Sequence, residues 1–201
     1  MSKRSKSVVI NVEGAELKIS SGEFTVQIHT PLPDEHNFYA VVGRVASEWS
    51  HLEHILDLII HDLANSRSRG VLPANVLACV TSQIMGVGPR CKVIILLGGH
   101  CRLDNKTLLK PFRTLMSDSY TVADERARFV HDPWYLDIDS KAPSQFRAMP
   151  YSDPVYGFKE IDGAHAVKVI GRIRGLRDRA AALRNAVLGA LQSSSEKPSS
   201  G

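Results

Sequence analysis

FYAVVGRVASEWSHLEHILDLIIHDL, residues 38–63, is the stretch on which the fold turns. Its apolar side chains, Phe38, Val41, Val42, Val45, Trp49, Leu52, Leu56, Ile59, Ile60 and Leu63, recur at three-and-four spacing. On a helix that spacing forms a single stripe, which has to be buried against other elements. Upstream, Pro31 and Pro33 end any extended pattern, and Asp34 can accept unpaired backbone N–H groups at a helix start. A long helix is therefore expected from Asp34.

Working downstream, residues 67–70 are a polar connection, and Pro73 opens a second helix that passes Cys79. Gly86-Val87-Gly88-Pro89 should break it before it resumes to about Leu97. A third helix is expected from about Asn105 to His131, with Leu108, Leu109, Phe112, Leu115 and Met116 inside and Asp132-Pro133 as its stop. The last helix runs from about Gly163 to Leu191, where Val169, Ile173, Leu176, Ala180, Leu183, Val187 and Ala190 repeat near every 3.5 residues. That face completes a bundle or meets a second subunit. Gly171 and Gly175, one turn apart, suit a close helix approach there.

Outside the helices the period changes to two. Val8, Ile10, Val12, then Leu17, Ile19, then Phe24, Val26, Ile28 alternate around Glu13-Gly14 and Ser21-Gly22, which predicts two or three short strands. Residues 145–149 and 155–159, parted by the turn-forming Tyr151-Ser152-Asp153-Pro154, predict a β-hairpin before the last helix. The expected organisation is a mainly α (α+β) protein. It has an N-terminal β segment over 1–33, a helical domain over 34–191 carrying the hairpin at about 145–159, and a disordered Ser-rich tail over 192–201.

The 201 residues are in the range of a single domain, which buries roughly 70% of its unfolded surface, so a substantial core is available. Hydrophobic residues at 43% and charged residues at 23% are ordinary globular proportions. Cys79, Cys91 and Cys101 are odd in number and form no Cys-x-x-Cys pair, which points to reduced thiols and a cytoplasmic setting. The longest apolar run, Val93 to Leu97, is far below the ~20 residues a membrane crossing needs, and no signal-peptide pattern follows Met1. The formal net charge of +4 allows an acidic partner without demanding one.

The chemistry-bearing segment is Asp124-Glu125-Arg126-Ala127-Arg128-Phe129-Val130-His131-Asp132-Pro133-Trp134, at the end of the third helix. Where such a helix end loosens, Arg126 and His131 can reach one small ligand. Arginine supplies a permanent charge and a planar fork of donors for phosphate. Histidine can give or take a proton near neutral pH. Together they meet the needs of metal-independent phosphodiester cleavage, which uses the 2′-hydroxyl that RNA has and DNA lacks.

In these residues the chain resembles the HEPN superfamily, helical bundles whose ribonuclease members carry an Arg, four to six residues, then His near a helix end. The likeness extends to uncharacterised bacterial HEPN-like proteins. They share a Trp-x-x-x-Glu, here Trp49 to Glu53, and a Glu-Arg-x-x-x-x-His-x-x-Trp, here Glu125 to Trp134. Ala127 stands where active members often have a polar residue. The resemblance implies a four-helix bundle, a homodimer in which two motifs meet, RNA as substrate, and a neutralising protein partner. His131 would be the acid/base, Arg126 the phosphate clamp and Glu53 its positioner, with Trp49 supporting. Arg128 would add backbone affinity, and Trp134 would pack the motif or stack a base.

The competing reading is a non-catalytic dimerising or partner-binding scaffold in which Arg126 and Glu53 form a structural ion pair. Lys168, Arg172, Arg174, Arg177, Arg179 and Arg184 face only Asp178 within the last helix, and such a basic strip either tracks an RNA backbone or is a solvated face. No metal or cofactor is expected. Glu48-x-x-His51 has the spacing of a di-iron ligand pair but lacks the second Glu-x-x-His such sites require, and the glycines at 86, 88, 98 and 99 match no nucleotide-binding loop.

Overall fold

The computed structural model describes residues 8–12, 15–20, 23–34, 36–66, 74–149 and 155–195. The protein is mainly helical with a small antiparallel sheet. Of the predicted tail over 192–201, residues 192–195 are helical, and the remainder lies outside the described residues, as does the turn over 151–154. Chain contacts divide into two units, one of residues 1–43 with 127–168 and one of 44–126 with 169–201.

The first unit holds the sheet. Its strands are β1 Val8–Val12, β2 Ala15–Ser20, β3 Glu23–Pro31, β4 Trp134–Asp137, β5 Pro143–Met149 and β6 Val155–Glu160. All pairs are antiparallel and the spatial order follows the chain order. The expected N-terminal strands and hairpin are thus present, but they belong to one sheet, joined by β4. β4 is not among the expected strands; it pairs with β3 at His29↔Asp137, Thr30↔Leu136 and Pro31↔Tyr135. Pro31 is tolerated because it ends its strand, where no ladder donor is needed. Asp137 makes the β4–β5 turn: its Oδ1 accepts the backbone N–H groups of Asp139 at 3.0 Å and Ser140 at 2.7 Å.

One sheet face carries Trp134, whose ring lies 4.4 Å from Phe38 and 5.6 Å from Phe129. The other face carries Tyr135, Phe146 and Phe158 in mutual ring contact, with His29 stacked on Phe158 at 3.8 Å. His29 is 4% exposed, and among the described residues neither ring nitrogen has a hydrogen-bond partner.

The helices are α1 Phe38–Asn65, α2 Ala74–Ser82, α3 Val87–His100, α4 Lys110–His131 and α5 Gly163–Ser195, with a π-helical segment Asn105–Leu109 leading into α4. Asp34 does not start α1. Its first turn forms at Phe38, whose N–H donates to His36 Nδ1 at 3.2 Å. Between α2 and α3 the chain turns at Gly86, where φ of +81° favours glycine. Pro89 falls inside the first turn of α3, where a helix needs no N–H donors. Asp104 caps the π segment, accepting from Lys106 N at 3.0 Å and Thr107 N at 2.7 Å.

The core of the second unit is the α1 stripe from Val45 to Leu63. It is joined by Val87, Cys91 and Ile94 of α3, Phe112, Leu115 and Val122 of α4, and Val169, Ile173, Leu176, Ala180 and Val187 of α5. Each fully buried Leu or Ile contributes about 1.5–3 kcal/mol. Burial also pushes the Cys91 thiol up to about 12, which keeps it protonated. The close helix approach expected at Gly171 and Gly175 is not made among the described residues, where a Cβ at either would meet open space. It occurs instead at Gly98, where a Cβ would lie 2.6 Å from Leu109 Cδ2.

Candidate functional site

α4 ends at His131 as expected, and it is regular to that point, so Arg126 and His131 do not lie on a loosened helix end. Along a regular helix five residues span about 7.5 Å of rise and about 140° of rotation. Arg126 is half-buried, while Arg128 and His131 are exposed.

The end of α4 is held by side chains of the sheet. A helix leaves its last four carbonyls without intrahelical partners, here those of residues 128–131. Gln145 Nε2 donates to the Arg128 carbonyl at 3.0 Å, and Trp134 Nε1 donates to the Phe129 carbonyl at 3.0 Å. The Asp132 N–H also reaches the Arg128 carbonyl, at 3.0 Å. Trp134 is only 7% exposed, so of its two expected roles it performs the packing one; its ring is not open for a base to stack on. Asp132, read from sequence only as a helix stop, buries its Oδ2 without a hydrogen-bond partner among the described residues. Such an atom costs about 1–3 kcal/mol.

Glu53 and Trp49 do come together, as an i, i+4 pair with the indole N–H donating to the carboxylate at 3.1 Å. The partner expected for Glu53 is Arg126, but the cation on it is Arg90 of α3, at 3.5 Å. Arg90 also donates to Asp57 Oδ1 at 2.8 Å, Asp57 Oδ2 at 3.3 Å and the Gly86 carbonyl at 3.2 Å. The available signal was an arginine inside the apolar stretch from Val87 to Leu97, which needs an acid when buried.

The α5 strip also departs from its expected character. Arg172 pairs with Glu125 at 2.6 Å, Arg174 and Arg177 with Glu48 at 2.7 and 2.6 Å, Arg179 with Asp118 at 2.7 Å, and Arg184 with Asp62 at 2.9 Å. Five of the six basic residues tie α5 to α1 and α4 instead of forming an open track for a phosphate backbone. Burial alone would raise the Glu48 carboxyl, but the Arg174 hydrogen bond and the charges of Arg174 and Arg177 hold it below the usual range. Those arginines also account for Glu48, so the Glu48-x-x-His51 spacing forms no ligand pair. Among the described residues no three His, Cys, Asp or Glu side chains are grouped to hold a metal ion. None of the described helices is long and apolar enough to cross a membrane.

Lys168, the sixth basic residue, lines a cleft of about 490 Å³ at the junction of β6 and α5. His165 forms part of the same wall, with its ring stacked on Phe129 at 5.8 Å. No family model, characterised protein or solved structure matches the chain.

Proposed function

We propose that this chain is a HEPN-like protein that binds RNA and cleaves it without a metal ion. The observation carrying the reading is the end of α4, which offers an exposed His131 and Arg128 on a helix terminus pinned by Trp134 and Gln145. In this reaction the 2′-oxygen attacks the neighbouring phosphorus as His131 takes its proton. Arg126 neutralises charge on the non-bridging oxygens, and the 5′-oxygen leaves with a proton. The products are a 2′,3′-cyclic phosphate and a free 5′-hydroxyl. A second copy of the motif, across a homodimer, would supply the other proton transfer. Arg128 adds affinity for the RNA backbone.

A second reading is favoured by the α5 ion pairs: a dimerising or partner-binding scaffold whose arginines fasten helices together. Incubating wild-type and His131→Ala protein with labelled total RNA in excess EDTA separates the two. Cleavage by wild type alone, with cyclic or 3′-phosphate ends, supports the ribonuclease. A folded wild type that leaves every RNA intact supports the scaffold.

A further inference from the structure

The cleft at the β6–α5 junction has the size of a small-ligand site, and Lys159, His165 and Lys168 bring nitrogen donors to its walls. His165 and Lys168 are three residues apart on α5 and therefore project side by side. Lys159 approaches from β6. It is the register partner of Gln145, whose side chain reaches the end of α4, so by strand alternation Lys159 leaves the sheet on that same face.

The two acids of the cleft are placed differently. Asp162 Oδ1 accepts the His165 backbone N–H at 2.6 Å, which makes it the N-cap of α5. Glu160 is the register partner of Ser144 and so leaves β6 on the opposite face from Lys159. The cleft thus carries two ammonium groups and an imidazole beside the Glu160 and Asp162 carboxylates, and those three donors can converge on the oxygens of a phosphate ester. The His165 ring is also fixed by its stack on Phe129, two residues before His131. The cleft and the exposed end of α4 are thereby tied to one buried aromatic ring.

We propose that this cleft is a phosphate subsite, taking a backbone phosphate of the RNA strand that flanks the one presented to His131. The inference rests on the RNA reading of the α4 motif but not on cleavage. Lys159 and Lys168 hold the non-bridging oxygens, and His165 donates the third hydrogen bond.

The test uses the full-length chain and four probes: inorganic phosphate, uridine 3′-monophosphate, a fluorescent twelve-residue oligouridylate and its deoxy counterpart. Binding is followed by anisotropy at several salt concentrations, and by shifts of the amide signals of residues 164–168. Wild type is expected to bind the oligoribonucleotide, with those amides shifting. Lys159→Ala/Lys168→Ala should weaken binding about tenfold and flatten the salt dependence by about 0.7 in log–log slope, the value for the one phosphate they hold. Lys159→Arg/Lys168→Arg should retain most of the affinity.

Equal affinity in the alanine double variant, or no binding of any probe by wild type, overturns the proposal. Binding of phosphate or the mononucleotide without gain from the oligomer assigns the cleft to a free nucleotide and overturns the strand subsite. If the oligomer binds through the lysines yet no RNA is cut, the subsite stands and the ribonuclease reading falls.

Discussion

Arg90→Ala removes a cation that is itself 7% exposed and serves two carboxylates of α1. The loss comprises both hydrogen bonds to Asp57, the bond to the Gly86 carbonyl and the contact with Glu53. Removing one partner of a fully buried pair costs about 3–5 kcal/mol. Here the two carboxylates are each 24% exposed, so water recovers part of that loss. Against this, Glu53 and Asp57 are left as like charges at i, i+4, worth about 0.2–0.5 kcal/mol of repulsion. The net destabilisation expected is about 2–3 kcal/mol. For a chain of this length it corresponds to roughly 4–12 °C in Tm. Urea unfolding followed by far-ultraviolet circular dichroism measures it, with an unchanged m-value as the condition for reading it as stability. The double variant Arg90→Met/Asp57→Leu should recover more than half of the loss, because it removes the buried cation with its doubly hydrogen-bonded carboxylate and leaves Glu53 to the Trp49 indole N–H. A loss below about 1 kcal/mol for Arg90→Ala would refute the view that this arginine is the counter-charge of α1.

Three further outcomes are expected. His29→Phe should stabilise the sheet by about 1–3 kcal/mol, since it removes two unpartnered buried nitrogens while keeping the stack on Phe158; a lower Tm would mean the imidazole has a partner in solution. Acid should weaken the protein through Asp137 and Glu48. The Ser140 N–H foremost holds the Asp137 carboxyl down, and the Arg174 and Arg177 contacts outweigh burial at Glu48. Folded values below the unfolded ones give stability that is complete above the ordinary carboxylate range and lost as pH falls through it. Urea midpoints from about pH 6 to about pH 3 should fall, and less steeply in Asp137→Asn. Gly98→Ala should destabilise by about 1–3 kcal/mol by crowding Leu109, whereas Gly175→Ala, in open space, should stabilise by up to about 1 kcal/mol. If Gly175→Ala instead shifts sedimentation from dimer to monomer, that face of α5 is a subunit seam.

What could be read in advance was local. Eight of the ten α1 stripe residues, the seven from Val45 to Leu63 together with Phe38, are buried, because a helix exposes its period directly in the order of residues. β4 escaped notice because four residues between Pro133 and Pro143 show too little alternation, and its partner β3 is remote in sequence. The α5 arginines appeared unopposed because their acids, Glu48, Asp62, Asp118 and Glu125, lie on other helices. The same limitation hid Arg90 as the partner of Glu53. Along the motif, the residue types and the helix end at His131 were legible, but the packing of Trp134 and the reach of Gln145 to the Arg128 carbonyl depended on the sheet.

The junction of β3 with β4 bears on how the molecule comes to be folded at all. Each three-stranded half of the sheet is made of neighbours in sequence, yet the seam between them joins His29 to Asp137, more than a hundred residues apart. Closing so large a loop for three residue pairs has an entropic cost that grows only as the logarithm of its length, but it comes before the reward. The two hairpin halves and the local helical contacts can form early, and the seam is left to the end, making the completed sheet a record that the intervening chain has already condensed.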